Sequence, residues 1–124
     1  MPTPVRIIVE DLLIEAEFFD TACAKDIVEA LPLEARPNVW GDEFYFAIPV
    51  EHQLDKTATT RVTVGDIGYW PPGSALALFF GPTPLSRGEE PVPASEVNLV
   101  GRIKTDPAAL RRVKGAARIR IERP

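Results

Sequence analysis

The chain has one cysteine, one histidine and one methionine among its 124 residues. The lone Cys23 excludes an intrachain disulfide and a cysteine-based zinc site, and it agrees with a reducing compartment. The lone His52 excludes a histidine-rich metal centre, so no metal is expected. Long apolar runs are also missing. Near the amino terminus, Val5-Arg6-Ile7-Ile8-Val9 stops at Glu10-Asp11 and resumes only as far as Ile14. A secretory leader needs an uninterrupted apolar stretch of roughly 7–15 residues. A membrane helix needs about 20. These absences predict a cytoplasmic protein that does not enter a membrane.

Chemistry-bearing motifs are equally sparse. Gly65-Asp66-Ile67-Gly68 lacks the lysine and spacing of a phosphate-cradling loop. Ser74, Ser86 and Ser95 lie in no nucleophile-elbow context. No cofactor and no catalytic residue are therefore expected. His52 follows Glu51 and precedes Asp55, which suits either an acid–base pair or a solvated loop.

The net charge of −4 disfavours nucleic acid as a partner. The charge is uneven, with eight Lys or Arg against two acids in residues 101–124. A basic tail is one reading of that stretch. The other places Arg118 and Arg120 on a closing strand beside the acidic first hairpin, because they alternate with apolar residues.

What the chain does have is strand periodicity. Residues 5–9 and 12–18 form two short strands around Glu10-Asp11, with Leu12, Ile14, Ala16 and Phe18 on one face. Asp20 then offers a helix cap, and Ala24, Ile27, Val28 and Leu31 follow at helical spacing until Pro32. In 43–48, Phe44, Phe46 and Ile48 face a core, so Glu43, Tyr45 and Ala47 point away. Arg61–Val64 repeats the alternation, and 97–103 and 117–122 add two more strands. Ala75–Phe80 is apolar on both faces, as in a central strand covered on each side. A second short helix opens at Asp106-Pro107. Gly81–Pro93 is the longest loop. One domain over 1–124 accommodates all of this.

Several segments resemble the small prokaryotic cyclophilin-like family, a domain of unknown function with a minimal cyclophilin barrel. They are Trp40–Pro49 (WGDEFYFAIP), Gly65–Gly73 (GDIGYWPPG) and Phe79–Pro84 (FFGPTP). The opening strand pair, Leu31-Pro32-Leu33 and Val97–Ile103 fit as well. The resemblance implies a mainly β fold: a closed cyclophilin-like barrel of about eight strands, its ends capped by two short helices. True cyclophilins are peptidyl-prolyl isomerases and carry an arginine in a Phe-His-Arg segment. The strand here that resembles it is Glu43–Pro49, and no arginine lies between Arg36 and Arg61. Phe79-Phe80 is similar to the aromatic strand of the isomerase pocket, and Val100–Ile103 to its later glycine-containing strand.

The candidate ligand-binding residues are Trp40, Glu43, Tyr45, Tyr69, Trp70, Phe79 and Arg102. Aromatic walls around one carboxylate suit a small cationic or amphipathic molecule, or a proline-bearing peptide. The expected function is noncatalytic binding of a small molecule or peptide at this cleft. A weak prolyl isomerase is the first alternative. The second is a structural, homo-oligomer-forming protein whose aromatic rim is an interface.

Overall fold

The computed structural model describes residues 1–124. β1 (Thr3–Val9) and β2 (Leu12–Phe18) form the expected hairpin, pairing Ile7 with Ile14 and Val5 with Ala16. After α1 (Ala22–Glu29) come β3 (Leu33–Ala35), β4 (Asn38–Val39) and β5 (Glu43–Ala47). Then follow β6 (Asp66–Trp70), β7 (Ala75–Phe79), β8 (Asn98–Ile103) and β9 (Ile119–Glu122). Single 3₁₀ segments, Pro71–Gly73 and Pro107–Val113, precede β7 and β9.

All nine strands join one antiparallel sheet in the order β3-β9-β1-β2-β8-β6-β7-β5-β4. The expected closed barrel of about eight strands is corrected here. The sheet is an open, strongly curled half-barrel of nine strands. Its two edges, β3 and β4, are joined only covalently, through Arg36-Pro37. A proline has no N–H to offer a ladder, and β4 is two residues long, so hydrogen bonding does not continue around the ring.

The sheet has two apolar faces. Its concave side encloses the main core, including Ile7, Phe18, Phe44, Phe46, Ile67, Leu76, Leu78 and Val100. Cys23, Ala24, Ile27 and Val28 of α1 pack into it, as do Leu110 and Ala116 near the chain's end. Burial at this scale, about 25 cal/mol per Å² of apolar surface, is what holds the curl. The opposite, outer face carries a smaller cluster of Val62, Ala77, Phe79 and Val97, with Tyr45, Trp70 and Leu99 against it. β7 is the strand buried on both sides. The sequence pattern requires that.

Three local expectations change. Thr21 caps α1 rather than Asp20: its extended backbone lets Oγ1 accept from the Ala24 N–H at 3.2 Å. Asp20 pairs instead with the amino-terminal ammonium. Arg61–Val64 is not a strand of the sheet, because the Thr63 N–H donates to the Asp66 carboxylate (2.8 Å) and turns the chain into β6. The basic stretch is ordered: Arg120 on β9 pairs with Glu34 (2.9 Å) and with Glu122, and Arg6 reaches Glu122 at 2.7 Å. β9 does lie beside β1 of the hairpin, and Lys104 reaches Glu17 on β2 at 3.6 Å, but the acidic partners of Arg120 itself come from β3 and β9.

Cys23 is fully buried, and burial pushes its thiol up to about 11. A thiolate is the reactive species. Cys23 is therefore expected to resist an aromatic disulfide reagent at pH 8 and to react only as fast as the protein unfolds. Stoichiometric labelling within seconds in native buffer would contradict its placement in the core.

Candidate functional site

The outer face is where the alternation of β5, β6 and β7 sends Glu43, Tyr45, Gly68, Trp70, Ala77 and Phe79. Register sets them in rows. Tyr45 lies opposite Ala77, and Ala77 opposite Gly68. One row along, Glu43 faces Phe79; on the other side, Ala75 faces Trp70. The two smallest residues thus sit beside a tyrosine and between rows of large side chains. A depression has to form there. It is a cavity of about 250 Å³, floored by Ala77 and Phe79 and walled by Tyr45, Trp70, Trp40 and Glu43.

Residues 80–97, which are irregular, supply the remaining wall through Pro93, Ala94 and Val97. Val97 rests on Gly68, where a Cβ would come within 2.8 Å of its methyl group. Trp70 is held twice. Its ring crosses Gly73, where a Cβ would lie 3.0 Å away, and its Nε1 donates to Ser95 Oγ at 2.7 Å. The segment is braced internally by Thr83, whose hydroxyl donates to the Val92 carbonyl at 2.5 Å.

Trp40 and Glu43 are presented by the tight turn between β4 and β5. Gly41 has φ +63°, and a side chain there would strike Thr83 and Pro82 backbone atoms within 3 Å, so only glycine fits. The Asp42 N–H donates to the Pro82 carbonyl (2.8 Å), and the Phe80 N–H donates to the Asp42 carbonyl (2.9 Å). The Asp42 carboxylate accepts from Arg111 Nε (2.7 Å) and Lys114 Nζ (2.6 Å), which ties the turn to the last 3₁₀ segment. Burial opposes ionisation of Asp42, but these two cations outweigh it and hold the carboxyl below its usual range.

Glu43 has no such partner. It is only 7 % exposed, and its Oε1 is buried without a hydrogen bond. Burial pushes its carboxyl up to about 8. A buried, unpaired acceptor costs about 1–3 kcal/mol, more if charged, so natural structures seldom keep one idle.

Five of the seven residues singled out from sequence therefore meet around one cavity: Trp40, Glu43, Tyr45, Trp70 and Phe79. Tyr69 and Arg102 do not. Tyr69 faces the main core, fully buried; its hydroxyl donates to the Val50 carbonyl (2.6 Å) and accepts from the His52 N–H (3.1 Å). Parity alone separates it from Trp70, its neighbour in the chain. Arg102 is exposed on β8 and pairs at 2.9 Å with Asp66, its cross-strand partner on β6, off the cavity. The cavity lining contains no arginine.

His52 lies away from this site, with Nε2 2.7 Å from Asp26 on α1 rather than beside Glu51 or Asp55. Asn98, fully buried, holds the same loop by accepting from the Asp55 N–H (2.9 Å) and donating to the Gln53 carbonyl (3.0 Å). No group of three or more His, Cys, Asp or Glu side chains is arranged to hold a metal. No helix is long and apolar enough to cross a membrane.

A family model described as Cyclophilin-like matches residues 3–122. The chain belongs to that family. This cyclophilin-like chain is also similar, at 34 % identity and a TM-score of 0.82, to the solution structure of the hypothetical protein AF2241 from Archaeoglobus fulgidus. That likeness covers 99 % of this chain and 95 % of the archaeal one. No curated protein matches the cyclophilin-like chain. Four contributors to its cavity are not among the residues singled out from sequence: Ala77, Pro93, Ala94 and Val97. Ala77 was within reach, since it sits on the same parity as Phe79. Val97 opens the expected 97–103 strand and is bridged to Thr59, whereas Pro93 and Ala94 are set by how a long irregular segment folds back, which no local pattern encodes.

Proposed function

We propose that this cyclophilin-like domain binds a small organic molecule or a short peptide segment in the outer-face cavity, without catalysing a reaction on it. The observation that carries this reading is the convergence of two tryptophans, a tyrosine, a phenylalanine and one unpartnered carboxylate on a single half-open depression. Ligand sites are concave and mainly apolar, with a few polar groups that fix orientation. At about 250 Å³ the cavity is just below the ~300–1,000 Å³ of drug-sized sites, which favours a compact ligand.

The walls are braced from behind. Trp70 is seated on Gly73 and tied to Ser95, and the Trp40 turn is anchored through Asp42. Side chains fixed in this way lose little freedom on binding, which favours affinity. Prolyl isomerisation would need a donor placed against an amide whose rotation barrier is ~18–20 kcal/mol. The absence of a guanidinium from the lining supports binding over that alternative.

Fragment screening by ¹H–¹⁵N correlation spectra tests the site. Ligands that shift the signals of Trp70 and Tyr45 are expected to bind Trp70→Ala and Tyr45→Ala at least tenfold more weakly, with both variants still folded. The loss corresponds to about 1.4 kcal/mol or more, within the range for removing an aromatic wall. Unchanged binding to both variants would place the ligand surface elsewhere.

A further inference from the structure

We infer that the occupant of this cavity is a small amphipathic monocation: a primary or secondary ammonium on a compact aromatic or cyclic body, its N–H groups directed at Glu43. This deepens the binding reading above and rests on it.

The charge inventory is the first argument. Among the lining residues Glu43 is the only carboxylate, and there is no lysine, arginine or histidine. Tyr45 is the other titratable group in the lining. Asp42, next in the chain, is already committed to Arg111 and Lys114. Phe79, the cross-strand partner of Glu43, brings no charge. An anionic ligand would thus meet an acid and nothing to balance it.

The second argument is hydrogen bonding. Oε1 of Glu43 is a buried acceptor with no donor, while the Trp70 N–H is already spent on Ser95. Once Glu43 is ionised the cavity is short of a donor for it, and an ammonium brings two or three. The third argument is shape. Trp40, Tyr45 and Trp70 line the same cavity as the carboxylate, and aromatic walls attract a cation more strongly where water is thinned out.

Cation binding also requires Glu43 to ionise. Since burial holds its carboxyl near 8, each ammonium bound near neutral pH expels a proton, and affinity rises with pH until that value is passed.

The test uses three probes of one shape, benzylammonium, benzyl alcohol and benzoate, titrated into the intact chain by calorimetry and ¹H–¹⁵N spectra. Benzylammonium is expected to bind at least tenfold more tightly than either of the others. Its affinity is expected to rise severalfold to tenfold from pH 6 to pH 7 and to level off above about 8. Glu43→Gln is expected to remove both the preference and the pH dependence. The pH series in the unaltered chain gives the same answer should that variant fold poorly. A peptide beginning with phenylalanine, run beside its acetylated form, distinguishes a peptide amino terminus from a free amine; binding of either ammonium supports the proposal.

Equal binding of all three probes, or preference for benzoate, with loss in Tyr45→Ala would overturn the cation assignment and leave the binding site standing. Absence of any chemical-shift change around Trp70 and Tyr45 with every probe at millimolar concentration would overturn the site as well.

Discussion

Replacing Glu43 by glutamine is expected to make the protein more stable than the unaltered chain at pH 9, by a margin that grows from about pH 4.5 and levels off above about 8. In the folded chain the Glu43 carboxyl titrates near 8 instead of 4.5, because burial penalises its charged form. Between those two values the native state keeps a proton that the unfolded chain has released. The unfolded state therefore binds fewer protons, and unfolding becomes easier as pH increases. This contribution is fully present below pH 4.5, declines through the window and is gone above about 8. Each unit of displacement is about 1.4 kcal/mol, so the full loss approaches about 4–5 kcal/mol as an upper bound. Solvent reaching the cavity mouth reduces it. Glutamine is nearly isosteric and cannot ionise, so urea unfolding of the two proteins from pH 4 to pH 9 isolates this one group. Parallel stability curves would mean that Glu43 is hydrated or paired.

The second large effect is expected at Gly101, on the strand that joins the opening hairpin to the rest of the sheet. Gly101 pairs with Phe18 across β2 and β8. A Cβ there would lie 2.4 Å from the Glu17 carbonyl oxygen and 3.0 Å from the Phe18 ring. The first obstacle is backbone and the second is a core side chain, so neither can step aside without opening the ladder. Overpacking usually costs about 1–3 kcal/mol. Gly101→Ala should reach or exceed the top of that range, since it separates strands as well as side chains. Gly88 lies in an exposed loop, and a methyl group attached there would meet nothing within 4 Å. Gly88→Ala should therefore stay within about 0.5 kcal/mol of the parent. Equal midpoints for the two variants in urea would show that β2 and β8 do not approach so closely.

How much of this was readable beforehand depends on the range of the signal. Period-two alternation sorted Phe44 and Phe46 from Glu43 and Tyr45, and the structure places the first pair in the main core and the second on the opposite face. The same rule, applied to Tyr69 and Trp70, would have separated them. Treating the two as one aromatic pair put Tyr69 in the wrong group. Closure was illegible for another reason. Whether β3 meets β4 depends on a two-residue link and on Pro37, which withholds a donor at the one place where a ladder could close. The helix start moved by one residue because Asp20 and Thr21 are both good caps, and only the long-range pairing of Asp20 with the chain's own amino terminus decides between them.

The burial of Glu43 was the least visible feature. A glutamate at the head of a strand reads as solvent-facing. Here Trp40, Phe79 and the returning 93–97 segment close around it, and the last two come from far along the chain. Such contacts leave no trace in local composition.

At the centre of the proposed chemistry is a carboxyl group buried without a protein partner at the edge of an aromatic hollow. Carbon-13 observation of the Glu43 side-chain carboxyl through a pH titration reads that state directly, with Glu43→Gln to assign the signal. A midpoint close to 8 in the free protein, moving downward when benzylammonium is added, is the predicted result. A midpoint near 4.5 that ignores the added amine would contradict it.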